Sequence, residues 1–310
     1  MAGKDMAEKA LEAYDDVFSD IVNNLIFNGK NVVLESELEQ GRERSIYQGE
    51  QTLREQERDS SKYWKHNNIR IAFFGLENET QAEDDMPFRV IGYDGAAYRD
   101  QISYKINNSG KRQKHMTRYP VITLVLYFGY KQHWDKARSL YDVFNWPDSN
   151  SNDNMRSFIN DYRINLFEIA FLSDEQVAGF TSDFKFVADF FVQMRKYGEY
   201  RGSTEKLCHA REVLQLMGYL TNDDRFSIAT DTIDDGKEIT NMCEALDIIE
   251  ARGEKRGIAI GEKRGIVIGE KRGFVKALSE LVKDGILSVS DAAKRADMSI
   301  SSFMTEAGIK

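Results

Sequence analysis

The run YPVITLVLYFG, at residues 119–129, constrains the fold of this chain more than any other feature. It is almost wholly apolar and rich in β-branched residues, which is typical of a strand buried on both faces of a sheet. A second run, IRIAFFGLENE at residues 69–79, follows the turn sequence His66-Asn67-Asn68 and an earlier candidate strand. A third candidate strand, DYRINLFEIA, lies at residues 161–170. Helical patterns separate these strands, so we predict an α/β fold.

Apolar residues at three- and four-residue spacing mark the helical segments. The first predicted helix has Asn28-Gly29 as its stop signal. From Ser173 onwards the pattern is almost entirely helical, which predicts a helical C-terminal extension of the α/β core. The predicted helices cover residues 5–28, 87–104, 174–199, 203–219 and 238–252.

Composition narrows the class of protein. The chain has 310 residues, 41% of them hydrophobic, which is enough for a substantial core. It has no apolar run of roughly 18 residues and a polar N-terminus, so we expect neither a membrane span nor a signal peptide. The chain has only two cysteines, which fits a reduced, cytoplasmic setting without a disulfide framework. Its four histidines are not spaced in pairs along the sequence, so we expect no zinc site.

Three near-identical units, GEKRGIAI, GEKRGIVI and GEKRGFVK, fill residues 253–276. Each of their six glycines costs a helix about 1 kcal/mol relative to alanine. The segment is therefore either a flexible linker or a helix whose glycine stripe packs against a partner in a homo-oligomer. Its excess of Lys and Arg in a chain of net charge −9 suits either a solvated face or contact with nucleic acid.

The last part of the chain, residues 277–310, is predicted to form a small helical unit with Ser290 and Ser299 as helix N-caps. Two helices of this size could form a DNA-binding helix-turn-helix. The second predicted helix, residues 300–308, has no Lys or Arg and contains Glu306, which favours a helical hairpin without base readout.

Polar residues recur at every second position where the run 69–79 ends. This spacing places Glu77, Glu79 and Gln81 on one face if the strand continues through them. Such groups would repel one another unless a divalent cation joined them, and Mg²⁺ prefers carboxylate oxygens together with water and phosphate. Alternatively, the strand ends near Gly75 and the acids belong to a solvated loop.

Several longer stretches resemble a known family. They are VFSDIVNNLIFNGKNVV (17–33), FFGLENETQAEDDMPFRVIGYDGAAY (73–98), PVITLVLYFG (120–129) and DYRINLFE (161–168). In this order they resemble the Rpn family of recombination-promoting nucleases, also called YhgA-like putative transposases, a branch of the PD-(D/E)XK nuclease superfamily. The charged glycine repeat is similar to repeats near the C-termini of such proteins. The resemblance implies a PD-(D/E)XK restriction-endonuclease-like core over residues 1–200, a helical extension over 201–252, the repeat, and the unit 277–310.

The resemblance also implies a set of site residues. The superfamily carries an acid on its first helix, an Asp on the second strand of a hairpin, and a Glu-x-Lys or Glu-x-Gln pair on the next strand. These roles would fall to Asp20, supported by Asn23, to Asp59, and to the pair Glu77 and Glu79. Mg²⁺ or Mn²⁺ held by Asp59, Glu77 and Glu79 would polarise a phosphodiester and lower the pKa of an attacking water.

Position 79 departs from the family, because Glu replaces the Gln or Lys that orients the water. A carboxylate can accept a proton or bind a second metal, but it cannot donate to a phosphate. Either the pair shifts to Glu79 and Gln81, or Lys62 or Lys65 supplies the missing cation. We prefer the unshifted register, because GLEN then falls where the family places its glycine, apolar residue and glutamate.

The resemblance implies a Mg²⁺-dependent DNA endonuclease that promotes recombination or acts in phage–host conflict. Arg89 and a basic loop containing Lys111, Arg112 and Lys114 are candidates for contact with the DNA backbone, although a solvent-exposed loop is the default interpretation. The alternative is a catalytically inactive nuclease-fold protein that binds DNA or assembles into oligomers, which Glu79 favours.

Overall fold

The computed structural model describes residues 10–41, 44–48, 53–102, 104–106, 112–114, 118–146 and 154–309, with backbone alone at 44–48, 53–57, 104–106 and 112–114. The chain divides into two compact units, one ending at Asp247 and the other beginning at Ile248. The boundaries expected from the sequence at residues 200, 252 and 276 stay predictions.

The named strands and helices follow one another in a mixed order. The strands are β1 Leu38–Gln40, β2 Arg44–Gln48, β3 Leu53–Glu57, β4 Ser60–His66, β5 Ile69–Glu79, β6 Tyr104–Ile106, β7 Arg112–Lys114, β8 Val121–Tyr127 and β9 Asn165–Glu168. The helices are α1 Asp15–Leu25, α2 Met86–Asp100, α3 Leu140–Val143, α4 Asp174–Gly179, α5 Phe184–Tyr197, α6 Ala210–Thr221, α7 Arg225–Asp234, α8 Met242–Lys283, α9 Val289–Arg295 and α10 Ile300–Ala307. Short 3-10 helices occupy Glu35–Glu37 and Ile169–Phe171.

A five-stranded mixed sheet is the centre of the first unit, with the strand order β1-β4-β5-β8-β9. Strands β4 and β5 form an antiparallel hairpin, whereas β8 runs parallel to both β5 and β9. Asn67 and Asn68 connect the hairpin with φ angles of 51° and 63°, as a two-residue type I′ turn requires. The predicted α/β class is confirmed, and so are the predicted turn and the strand 69–79.

The apolar run at residues 119–129 contains β8, which lies between β5 and β9. Its residues Leu124, Val125 and Leu126 are fully buried, so side chains on both faces of the strand lie in the core. The prediction of a strand buried on both faces is therefore confirmed.

Helices cover both faces of the sheet. Strand alternation directs Phe73, Gly75, Glu77 and Glu79 to one face, where α2 packs with Val90 against the β8 residue Val125; we call it the α2 face. The even-numbered residues of β5 lie on the opposite face, called the α1 face. There Lys62 of β4 places its Nζ 5.4 Å from the centre of the Phe18 ring of α1. Helix α5 packs on the same face, with Phe184 6.4 Å from Phe128 between ring centres.

Several predicted helices have different limits because tertiary contacts end them. The first predicted helix is broken at Ala13 and Tyr14, where the Ala13 carbonyl accepts a hydrogen bond from the buried Lys62; its residues 5–9 lie outside the described chain. The helix predicted to reach residue 104 ends at Asp100, because the next side chain, Gln101, bonds both the N–H and the carbonyl of Tyr119. The predicted helix 174–199 is divided into α4 and α5, and the helix predicted at 203–219 begins only at Ala210.

The repeat 253–276 is helical and belongs to α8, so the structure has the helix rather than the linker. A Cβ built at each of its six glycines would meet nothing within 4 Å in the described chain. The packing that would offset the cost of these glycines is therefore not made within the chain as described. Among the described residues, no helix has the length and apolar character needed to cross a bilayer.

The second unit has a small core of its own. It joins the end of α8 to α9 and α10 through Val275, Leu278, Ala292, Ala293 and Phe303. Ser299 caps α10 as expected, but α9 is capped by Ser288, whose Oγ accepts from the Asp291 N–H at 3.1 Å. The prediction of Ser290 as a cap is wrong, because the helix begins one residue before it.

Candidate functional site

Asp59, Glu77 and Glu79 come together at the carboxyl end of β5; we call them the acidic cluster. Glu77 and Glu79 point to the α2 face by strand alternation. Asp59 directly precedes β4 and lies across the hairpin from the end of β5, because Ser60 pairs with Leu76. Its Oδ2 accepts a hydrogen bond of 2.7 Å from the N–H of Asn78. The hairpin register therefore holds the Asp59 carboxylate beside the two glutamates.

Arg89, in the first turn of α2, neutralises part of this cluster. Its Nη1 lies 2.6 Å from Glu79 Oε1 and its Nη2 lies 3.2 Å from Glu77 Oε2. Nη1 also donates to Glu83 Oε2 at 3.2 Å. The Arg89 side chain is 35% exposed, so it reaches solvent while bonding the carboxylates. The sequence suggested Arg89 as a contact for the DNA backbone, whereas the structure uses it as the ion-pair partner of the cluster.

Burial sets the electrostatics of the two glutamates. Burial raises the pKa of Glu77 well above its ordinary value, and the charge of Asp59 adds to this shift while Arg89 and Arg58 oppose it. Burial also raises the pKa of Glu79, against the opposing charge of Arg89. A nearby positive charge therefore stabilises the ionised form of both side chains.

A buried network lies behind the cluster on the same face. Arg58 Nη2 lies 2.6 Å from Asp94 Oδ1, and each side chain is 3% exposed. Thr123 donates to the same Asp94 oxygen at 2.5 Å, and the Tyr162 hydroxyl donates to the other oxygen. A Cβ at Gly75 would stand 2.9 Å from Arg58 Cδ, so glycine leaves the space through which this side chain passes.

The residues of this network were missed by sequence reasoning. A signal was present, because Gly75 interrupts an otherwise bulky strand and Arg58 directly precedes the predicted Asp59. Only the folded sheet shows that Arg58 passes over Gly75 and pairs with Asp94 of α2.

Asp20 and Asn23 do not belong to the cluster in the contacts that the structure records. The Asp20 carboxylate accepts from the N–H groups of Thr181 and Ser182 at 2.9 and 2.8 Å, and thereby ties α1 to the loop before α5. The Asn23 amide bonds the backbone of Val33 in both directions. Both side chains line a polar cavity of about 590 Å³ beside α1. The recorded contacts of the Asp20 carboxylate anchor this loop, and its predicted role among the active acids stays a prediction.

Glu12 is the acid before α1 that approaches β5. It is fully buried, and its Oε1 accepts from the Asn78 side-chain amide at 2.8 Å on the α1 face. Helical spacing did not single it out, because only the apolar positions of the predicted helix 5–28 were used to mark it.

The sequence also suggested Lys62, Lys65 and Gln81 as supporting residues, and the structure places them away from the strand positions of Glu77 and Glu79. Lys62 points to the α1 face, where it bonds the Ala13 carbonyl and Asp15, and Lys65 pairs with Glu39. Lys62 thus lies on the face opposite Glu77 and Glu79, and Lys65 pairs in the strand register with Arg70 at the turn end of the hairpin, away from Asp59. Gln81 lies two positions beyond the end of β5, so the alternation ends at Glu79 and the shifted register has no strand to support it.

The basic loop cannot be placed in the same way. Lys111 lies outside the described residues, and Arg112 and Lys114 are described by their backbone in β7 alone. Their contact with DNA stays a prediction.

The donor chemistry of the acidic cluster fits a hard divalent cation. Carboxylate oxygens are the ligands that Mg²⁺ and Mn²⁺ prefer. Glu77 Oε1 is buried and has no hydrogen-bond partner among the described residues, so one carboxylate oxygen is left to be satisfied. Within the described chain, no group of three or more His, Cys, Asp or Glu is arranged as a metal centre. Arg89 provides the positive charge beside Glu77 and Glu79.

The fold and the cluster define an α/β protein with buried acids at the end of a central strand. The chain belongs to the family described as "Putative transposase, YhgA-like", whose model matches residues 50–211. This match confirms the predicted resemblance to YhgA-like transposases. It includes the acidic cluster and Arg89 but not Asp20 or the repeat. The chain has no significant match among curated proteins or solved structures.

Proposed function

We propose that this protein is a Mg²⁺-dependent DNA endonuclease with a PD-(D/E)XK-type core. The observation that supports this most is the position of Asp59 beside Glu77 and Glu79 at the end of β5, joined through the Asn78 N–H. Membership of a family named for transposition supports DNA as the partner. Promotion of recombination or action in phage–host conflict, a cytoplasmic location, and homo-oligomerisation through the repeat are parts of the same proposal.

Each acid of the cluster has a role in this reaction. Asp59, Glu77 and Glu79 would hold Mg²⁺ or Mn²⁺, which when bound polarises a phosphodiester and lowers the pKa of a coordinated water. Glu79 would accept the proton of the attacking water, because an ionised carboxylate can take up a proton but has none to donate. The buried pair of Arg58 and Asp94 lies on the inner side of the site, and the charge of Arg58 favours the ionised form of Glu77.

The test is a plasmid-nicking assay with Mg²⁺ or Mn²⁺. Wild-type protein is expected to convert supercoiled plasmid to nicked or linear forms, and Asp59→Asn combined with Glu77→Gln is expected to abolish conversion. Asp84→Asn is the matched control, because Asp84 is 64% exposed and pairs with Lys136 outside the cluster. If wild type cuts no better than the double variant, the enzyme proposal fails.

One observation favours a second candidate function. Arg89 already pairs with Glu77 and Glu79, as expected of a catalytically inactive nuclease fold that keeps its acids neutralised and acts as a DNA-binding or assembly module. Equal DNA affinity with and without divalent metal, together with no cleavage, would support this candidate. Cleavage that depends strictly on metal would reject it.

A further inference from the structure

We propose that Arg89 is a catalytic residue that donates hydrogen bonds to the scissile phosphate, in the role left vacant by Glu79. This inference rests on the proposed nuclease function. It concerns a residue of α2, ten positions after Glu79, rather than a residue of the strand itself.

The acidic cluster lacks a donor of its own. Asp59, Glu77 and Glu79 can only accept when ionised, and together they repel an incoming phosphate. A phosphodiester in cleavage develops additional negative charge on its oxygens, which fixed donors stabilise. The reaction therefore needs a cationic donor close to these carboxylates.

Arg89 is placed to be that donor. Its two terminal nitrogens lie 2.6 and 3.2 Å from oxygens of Glu79 and Glu77. An arginine guanidinium is not deprotonated in proteins, and it presents its N–H groups in a fixed fork. The guanidinium is therefore charged throughout the working pH range.

Its exposure distinguishes Arg89 from the other nearby cation. Arg58 is 3% exposed and is held by Asp94 on the inner side of the cluster. Arg89 is 35% exposed, whereas its partner Glu77 is 1% exposed, so a phosphate can reach the guanidinium from solvent. A guanidinium also matches the geometry of two phosphate oxygens, which an ammonium does not.

The hydrogen bonds of Arg89 can be exchanged without leaving a buried charge unpaired. When the oxygens of Glu77 and Glu79 turn to a bound divalent cation, they no longer require the guanidinium. Its N–H groups then donate to the phosphate at the same site. In the absence of metal, Arg89 is the counter-charge of the acids and competes with cations for them.

The experiment compares wild type with Arg89→Gln, Arg89→Lys and Arg89→Ala. The matched control is Arg99→Gln, since Arg99 is exposed in the last turn of the same helix. Four quantities are measured: the single-turnover rate of plasmid cleavage, the Mn²⁺ affinity, the DNA affinity without metal, and the thermal unfolding midpoint. Cleavage by Arg89→Ala is also measured with added guanidinium ion.

Arg89→Gln is expected to lower the single-turnover rate on the order of 100-fold, as loss of one transition-state donor does. Mn²⁺ affinity is expected to increase, because a competing positive charge is removed, while Arg99→Gln changes neither quantity. Arg89→Lys is expected to recover part of the rate, and guanidinium ion to recover part of the activity of Arg89→Ala.

Two results would overturn the inference while leaving the nuclease proposal intact. One is cleavage by Arg89→Gln at the wild-type rate. The other is a loss of rate that parallels a loss of Mn²⁺ affinity with no guanidinium rescue, which would mean that Arg89 only holds the carboxylates. Absence of cleavage by wild type itself would overturn both proposals together.

Discussion

Replacing Asp94 by asparagine is expected to destabilise the first unit strongly, because it removes the counter-charge of a buried cation. Arg58 and Asp94 are each 3% exposed, and their charged atoms lie 2.6 Å apart. Removal of one partner from such a pair costs about 3–5 kcal/mol, since the other charge stays buried without compensation. Asp94→Asn also replaces one carboxylate oxygen by an NH₂ group. That group cannot accept a hydrogen bond, whereas both oxygens of Asp94 accept one, from Thr123 and from Tyr162. The charge of Glu77 also acts on Arg58, so we expect about 3 kcal/mol, the lower end of that range.

Thermal and urea unfolding of the full chain, followed by circular dichroism, measure this effect. For a unit of this size about 3 kcal/mol corresponds to a decrease in Tm of roughly 6–12 °C. Asp84→Asn, at an exposed acid, is the control and should stay within about 0.5 kcal/mol of wild type. The double variant Arg58→Met/Asp94→Leu should recover much of the stability, because it replaces the pair by apolar side chains. A decrease below about 1 kcal/mol for Asp94→Asn would refute the reasoning, because it would mean that water or another group compensates Arg58.

Three further predictions follow from other parts of the structure. The raised pKa of Glu77 means that, just above its ordinary value of 4.5, the folded state binds more protons than the unfolded state. Stability without metal should therefore fall as pH rises from that value through the raised pKa, and Glu77→Gln should flatten this dependence; an unchanged profile would contradict it. Gly75→Ala should destabilise the protein by about 1–3 kcal/mol in a urea titration, because its Cβ would stand 2.9 Å from Arg58. Gly95→Ala is the control: it has open space around it and should be neutral or stabilising in the same titration. Gly261→Ala should raise helix content and stabilise α8 by about 1 kcal/mol, and a loss of helix in far-ultraviolet circular dichroism would instead indicate close packing at the glycines.

Arg89 supplies a positive charge that the acidic end of β5 lacks. When Glu77 and Glu79 are ionised, their side chains can only accept hydrogen bonds. Through Arg89, the structure places a cation against Glu79 from a neighbouring helix rather than from the same strand. The two proposed functions therefore differ over one physical question, which is whether this arginine leaves the carboxylates when metal and DNA bind.

Local patterns were sufficient wherever the residues that decide a feature are neighbours in the chain. The alternation in 69–79 and the Asn67-Asn68 turn predicted β4, β5 and their connection, because strand period and turn geometry depend on adjacent residues. The same alternation placed Glu77 and Glu79 on one face. The pattern could not show where the strand ends, so Gln81 was included although β5 stops at Glu79.

Contacts between distant residues explain the incorrect expectations. The helix predicted at 174–199 is interrupted because its residues 181 and 182 turn their N–H groups to Asp20, about 160 positions earlier in the chain. The same contact gives Asp20 a structural partner that its position in the sequence did not indicate. Propensity favours continuing a helix, but a buried carboxylate that accepts several hydrogen bonds outweighs it.

Side-chain periodicity and short motifs were enough to predict the α/β class, the central strands, the family and the acids at the end of β5. Which charges meet became visible only in the folded chain: Arg89 with Glu77 and Glu79, Arg58 with Asp94, and Lys62 on the opposite face of the sheet. The physical reason is that a buried charge is stabilised by whichever partner the fold brings within a few ångströms, and distance along the chain does not predict that separation.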